Sequence, residues 1–199
     1  MIKLNLIIGT CMSRKITKAI VFTALFAALI AACAFISIPV PGTPIPIVLQ
    51  NMMVVLSGML LGPILGSAST VLFILAGILG LPVFSGGTGG FAKIMGPTGG
   101  FIIGYAIAAL VAGLIPGRPR LDGKKHIARI IIAAVCGFVV MYIPGVLHFM
   151  NSLEKTFSET MALCVIPYIP GDLIKMVLCI LISIPVRRTA ASFIFEDEA

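Results

Sequence analysis

Asp172 and Lys175 are the only charged residues between Glu159 and Arg187, in a stretch otherwise apolar enough to lie in a membrane. Ionisable groups in such surroundings are costly and usually functional. Three residues apart on a helix they share a face, where carboxylate and ammonium neutralise each other and still present an acceptor beside a donor. A small polar ligand suits such a pair. Pro170 and Gly171 interrupt the chain just before it. Asp172 is therefore expected near a helix N-terminus, where the dipole and the free N–H groups favour an anion. The alternative is an N-capping aspartate with a purely structural ion pair.

The chain of 199 residues is 59% hydrophobic and 11% charged, far below the roughly 25% charged of soluble domains. This is the composition of an all-α integral membrane protein. With about 20 apolar residues per crossing, six transmembrane helices are expected at about 16–38, 46–61, 64–82, 97–116, 127–149 and 170–187. They use nearly the whole chain, so 1–199 reads as a single polytopic domain, multi-pass in the plasma membrane. Residues 1–12, interrupted by Lys3, Asn5 and Gly9, are assigned no structure, and Met12 is an alternative start. The acidic end, Glu196-Asp197-Glu198, reads as disordered.

The net charge of +7 is unevenly placed. Lys3, Arg14, Lys15 and Lys18 precede the first span; Arg118, Arg120, Lys124, Lys125 and Arg129 flank the 4–5 connection; Arg187 and Arg188 follow the sixth. This bias puts both termini and the 4–5 connection in the cytoplasm. Lys93, Lys155 and Lys175 are left toward the outer side. No basic stripe is interleaved with aromatics, which argues against nucleic acid as a partner. Cys11, Cys33, Cys136, Cys164 and Cys179 form no metal or redox spacing and read as packing residues. Ile30-Ala31-Ala32-Cys33 looks like a lipoprotein cleavage box, but five further spans speak against it.

Ile38-Pro39-Val40-Pro41-Gly42-Thr43-Pro44-Ile45-Pro46 is too proline-rich for helix and is expected as a stiff, uncharged outer loop that lids an apolar pocket. Gln50 and Asn51 follow, with amides that serve either a ligand or the neighbouring backbone. Leu61-Gly62-Pro63 is expected as a tight cytoplasmic turn. The glycine-dense run from Gly86 to Gly100 reads either as a connector or as a binding loop, its N–H groups and Lys93 turned to an anionic group. It lacks the strand a dinucleotide fingerprint needs, and the chain has no P-loop Gly-Lys-Ser/Thr. Tyr142, Gly145 and His148 lie toward the outer end of span 5, with His148 read as interfacial and His126 as solvated among cytoplasmic cations. Asn151 to Ile169 is expected as an outer segment with a short interfacial helix. No nucleophile-base set or metal cluster is present, so binding is expected rather than catalysis.

Ile38 to Pro46 with Leu49-Gln50, Leu60-Leu61-Gly62-Pro63, Gly80-Leu81-Pro82-Val83-Phe84, Gly86 to Gly90 with Gly96-Pro97-Thr98-Gly99-Gly100, Tyr142-x-x-Gly145, and Pro167 to Lys175 together resemble the BioY family. This family is the biotin-specific S component of energy-coupling factor (ECF) vitamin transporters. The resemblance implies the S-component fold of six membrane helices, with biotin bound near the outer face under the 1–2 and 3–4 loops and its ureido ring held by Asp172 and Lys175. The substrate-binding set is then Asp172, Lys175, Thr88, Gly89, Lys93, Gln50 and Tyr142, with no metal and no cofactor. The resemblance also implies that the small-residue stripe Ala24, Ala28, Ala32 faces a transmembrane coupling (T) subunit carried on two ABC-type ATPases. Read from the residues alone, that stripe serves either internal helix packing or such a partner. His148 and Lys93 depart from the family pattern. A stand-alone secondary carrier of biotin or another small vitamin, proton-coupled through Asp172, is the alternative, and would show paired broken helices in repeated halves.

Overall fold

The computed structural model describes residues 2–43, 45–119 and 127–194, with side chains from 16 to 193. Pro44, Arg120, Lys124, Lys125, His126 and the acidic tail lie outside the described residues, as do the side chains of Lys3, Cys11, Met12, Arg14 and Lys15. The protein is mostly helical: α1 (Ile2–Ala32), α2 (Gln50–Ile78), α3 (Phe91–Met95), α4 (Gly99–Leu114), α5 (Ile127–Leu153), α6 (Phe157–Cys164), a 3₁₀ turn (Ile166–Tyr168) and α7 (Ile169–Ile194). Among the described residues, three stretches are long and apolar enough to cross a membrane, Gln50–Ile78, Ile127–Leu153 and Phe157–Phe193, while Ile16–Ala32 and Gly99–Leu114 are shorter and apolar. Outward-facing Leu72, Leu110, Val139, Leu147 and Leu181 are exposed, as on a surface made for lipid rather than water.

Two expectations are corrected. Residues 2–12 are not irregular, because α1 already begins at Ile2; a helix propagates through scattered polar residues once its neighbours nucleate it. The chain is also not purely helical. The first span stops at Ala32, and Ser37–Ile38 (β1) pairs antiparallel with Ile47–Val48 (β2), Ser37 opposite Val48 and Ile38 opposite Ile47. The prolines forbid helix between them, and the flanking backbone groups satisfy each other instead.

α2 is a folded pair. At Gly62 the backbone takes φ 80° and ψ 179°, and Pro63 follows. A positive φ suits glycine, and proline offers no N–H for the helix to use. Arm 50–61 and arm 63–78 fold against each other, with the Ser57 hydroxyl, 2.7 Å from the Val54 carbonyl of its own arm, lying 3.3 Å from the Gly66 carbonyl of the other. A Cβ on Gly66 would lie 2.6 Å from the Gly58 Cα, and one on Gly58 would lie 2.1 Å from the Ala109 carbonyl oxygen of α4. Gly58→Ala is therefore expected to cost about 1–3 kcal/mol through overpacking, measured as a lower thermal unfolding midpoint of the purified protein in detergent.

The first arm is the centre of the bundle. α4 packs along it at Gly58, and α5 packs on α4, where Cβ atoms on Gly104 and Gly100 would clash with the Met141 and Pro144 carbonyls. α7 lies along its other side, with the Cys179 thiol 3.5 Å from the Met52 carbonyl. At the far end Arg187 donates to the carbonyls of Met59, Pro116 and Gly117. A cation there satisfies carbonyls that the helix C-termini leave open. Buried Val54, Val55, Phe73, Ala108, Ala112, Ala133 and Phe138 fill the core between these helices.

Candidate functional site

At the end of the bundle opposite Arg187, α7 begins beside the start of α2. Asp172 falls in the first turn of α7, and Lys175 lies one turn on, its ammonium 2.9 Å from Asp172 Oδ1. Asp172 is 6% exposed and Lys175 5%. Burial at this level is tolerated only when the charges are paired and their remaining valences satisfied. Asn51 supplies that. Its Nδ2 donates to Asp172 Oδ1 at 3.0 Å and its Oδ1 accepts from Lys175 Nζ at 3.1 Å. The same Oδ1 accepts from the Met52 N–H at 3.0 Å, which fixes the amide orientation. Tyr142 of α5 donates its hydroxyl to the other carboxylate oxygen at 2.6 Å. Its ring is held edge-on against Phe101, with centroids 5.8 Å apart.

These four side chains sit at one end of a hollow of about 640 Å³, counting its open mouth. Its walls come from the β2 flank (Ile45, Pro46, Val48), from Phe84, from Phe101, Ile102 and Tyr105 of α4, and from Met141 of α5. Lys93 of α3, half-buried, and Tyr168 complete the lining toward the mouth. An apolar wall with a few convergent polar groups is the usual make-up of small-molecule sites.

The BioY family matches residues 5–192 of the chain. The chain belongs to the BioY family. Relatives include a probable biotin transporter BioY of Pyrococcus horikoshii, 36% identical over 83% of this chain and 94% of the relative, and a biotin transporter BioY of Thermotoga maritima, 33% identical over 88% and 96%. A crystal structure of the S-component for biotin from an ECF-type ABC transporter superposes with a TM-score of 0.77 at 30% identity, covering 87% of this chain and 90% of that one. As a BioY protein the chain is a cell-membrane protein and a substrate-binding transporter component rather than an enzyme.

Of the residues singled out in this BioY sequence, Asp172, Lys175, Tyr142, Gln50 and Lys93 line the hollow. Gln50 gives its Nε2 to the Val83 carbonyl at 2.9 Å, so its donor serves the backbone. Thr88 and Gly89 do not line it. The Thr88 N–H and carbonyl both pair with Phe84, and its hydroxyl donates to the Ser85 carbonyl. Gly89 backs onto the Leu81 carbonyl, which a Cβ would approach to 2.2 Å. Both residues close the turn that holds buried Phe84 in the wall. His148 is also outside the lining, with Nε2 3.0 Å from the Gly96 carbonyl, tying the end of α3 to α5. Asn51, whose amide the sequence offers to either a ligand or the backbone, also belongs to the lining, as do Tyr105 and Tyr168, which no sequence signal singles out.

Proposed function

We propose that this chain is the high-affinity biotin-binding membrane subunit of an ECF-type, ATP-driven uptake transporter. The observation that carries the reading is the buried Asp172–Lys175–Asn51–Tyr142 network at the end of an apolar hollow in a BioY-family chain. After its internal bonds, the network keeps one Lys175 N–H and lone pairs on Asp172 Oδ2 and the Tyr142 oxygen. A ureido ring presents two N–H groups flanking one carbonyl. One carbonyl meets the spare donor, and the two N–H groups meet the spare acceptors. The fused sulfur ring and the valerate chain fit walls such as Phe84, Phe101 and Met141, and Lys93 at the mouth suits the terminal carboxylate. Charge-assisted hydrogen bonds of about 1.5–3 kcal/mol each, with apolar burial near 25 cal/mol per Å², are enough for nanomolar affinity, about −12 kcal/mol.

In this reading the whole chain is one polytopic domain with six crossings, the two arms of α2 counting separately, and both termini are cytoplasmic. Arg118 beside Gly62 and the Arg187 cluster share the end of the bundle away from the hollow. That charge placement supports a cytoplasmic assignment for this end and an outward-facing hollow. The exposed stripe Ala24, Ala28, Ala32 meets the T subunit, which two ATPases carry. Calorimetric titration of the detergent-solubilised protein tests the core of the reading. Biotin is expected to bind with nanomolar affinity and riboflavin and thiamine not at all; absence of a biotin signal from folded protein would overturn it.

A further inference from the structure

The tip of the β1–β2 connection lines the hollow through Ile45 and Pro46, and its side-chain mooring is unlike the rest of the cover. At its base the cover is held by backbone, through the β1–β2 pairs and a Gly86 N–H bond to the Ala34 carbonyl at 3.3 Å. At its tip, Gly42 has φ 79° and a Cβ placed on it would find nothing within 4 Å. The tip is tied down by Tyr168. The Tyr168 and Thr43 hydroxyls are 2.7 Å apart, and the Tyr168 hydroxyl donates to the Ile45 carbonyl. Thr43 in turn has the Val40 and Ile45 carbonyls at 3.1 Å. Tyr168 is 6% exposed and stands four residues before Asp172, in the 3₁₀ turn that leads into α7.

We infer that the Tyr168–Thr43 hydroxyl pair is the latch that sets how slowly a bound ligand leaves. The inference rests on the proposed binding function, because it assigns a residence-time role at that same site. Ile45 and Pro46 of the tip and Tyr168 itself line the hollow, and on this inference a ligand seated against Asp172 and Lys175 leaves as the tip lifts. Lifting breaks the hydroxyl pair and the Ile45 bond together. The cover also runs close to the start of α7, where a Cβ on Gly171 would meet Ile47 at 3.9 Å. Because the latch stands on the same turn of chain as the Asp172 carboxylate, closure of the cover and capture of the ligand's polar end occur on one rigid segment. Tyr168 is thus a positioning residue, acting on release through the tip.

Loss of one hydrogen bond of this kind corresponds to roughly a three- to tenfold change in rate, and such changes fall mainly on dissociation. Dissociation of radiolabelled biotin from the full chain in detergent is followed in a chase for wild type, Tyr168→Phe, Thr43→Val and the double variant. Each single variant is expected to release biotin three to ten times faster with association within twofold, and the double variant no faster than the quicker single. Thr43→Ser, which keeps the hydroxyl, is expected to match wild type. Unchanged dissociation in both singles, or additive effects in the double, would overturn the latch. Amide hydrogen exchange of residues 40–47 in the ligand-free protein supplies a readout independent of biotin. It is expected to rise in Tyr168→Phe, and an unchanged rate there sinks the latch. Failure of wild type to bind biotin would instead sink the functional reading.

Discussion

Lys175→Met is expected to weaken biotin binding by about ten- to 150-fold, the equivalent of one charge-assisted hydrogen bond of 1.5–3 kcal/mol, as read by calorimetric titration. The ammonium has three protons. Two are engaged by Asn51 Oδ1 and Asp172 Oδ1, which leaves one for a ligand carbonyl. Methionine keeps the length of the side chain and removes the donor. It also strands a carboxylate that is 6% exposed, and stability is expected to fall as well, since breaking a buried pair commonly costs 3–5 kcal/mol. Asn51 and Tyr142 still donate to that carboxylate, so the variant retains its fold, checked by circular dichroism. Asp172→Asn is expected to lose at least tenfold for the reciprocal reason: its amide nitrogen turns a donor toward groups that already donate. The double variant Asp172→Asn with Lys175→Met separates two roles. A pair that is only structural would regain stability in the double variant and leave biotin affinity near wild type throughout. A pair that holds the ligand would regain stability and stay weak in binding.

Asp172 and Lys175 were legible in the sequence because a charge inside an apolar run is conspicuous and a three-residue spacing fixes a shared helix face. The fold-back at Gly62-Pro63 was legible for a related reason, since one residue tolerates positive φ and the next cannot continue the helix. Asn51 was harder. Gln50 and Asn51 are neighbours about 100° apart on one helix, and which amide meets Asp172 depends on the rotation of the arm. That rotation is set far away, where Gly58 lets the arm settle on Ala109. The glycine-dense run misled in the opposite direction. Its spacing suggests free N–H groups for an anion, yet Gly87 and Thr88 donate to the Phe84 carbonyl and Gly90 to the Gly77 carbonyl. A turn that satisfies itself and a cradle that awaits a ligand have the same composition. The strands β1 and β2 are two residues each, too short for any alternation to register.

Ala28→Leu is expected to reduce ATP-driven biotin uptake more than tenfold, in vesicles holding the chain with the proposed coupling subunit and ATPases, while the affinity of the isolated chain for biotin stays within twofold. In α1 the inward face is Ala27 and Ile30, at 7% and 0% exposure. Ala24, Ala28 and Ala32 all point outward, so internal packing does not use the stripe. Alanines four apart let a second helix bring its backbone close, and in lipid that proximity is the main source of helix–helix attraction. A leucine at the middle position would hold the partner off along its whole contact. It would not reach the ligand, because no described residue of α1 lines the hollow. The flanking Leu25 and Leu29 are themselves exposed, so if this face met only lipid, one more leucine would be neutral. Full uptake by Ala28→Leu would therefore assign the stripe to the bilayer, whereas lost uptake with intact binding, and normal uptake in Ala28→Gly, would assign it to the subunit that couples ATP hydrolysis to release.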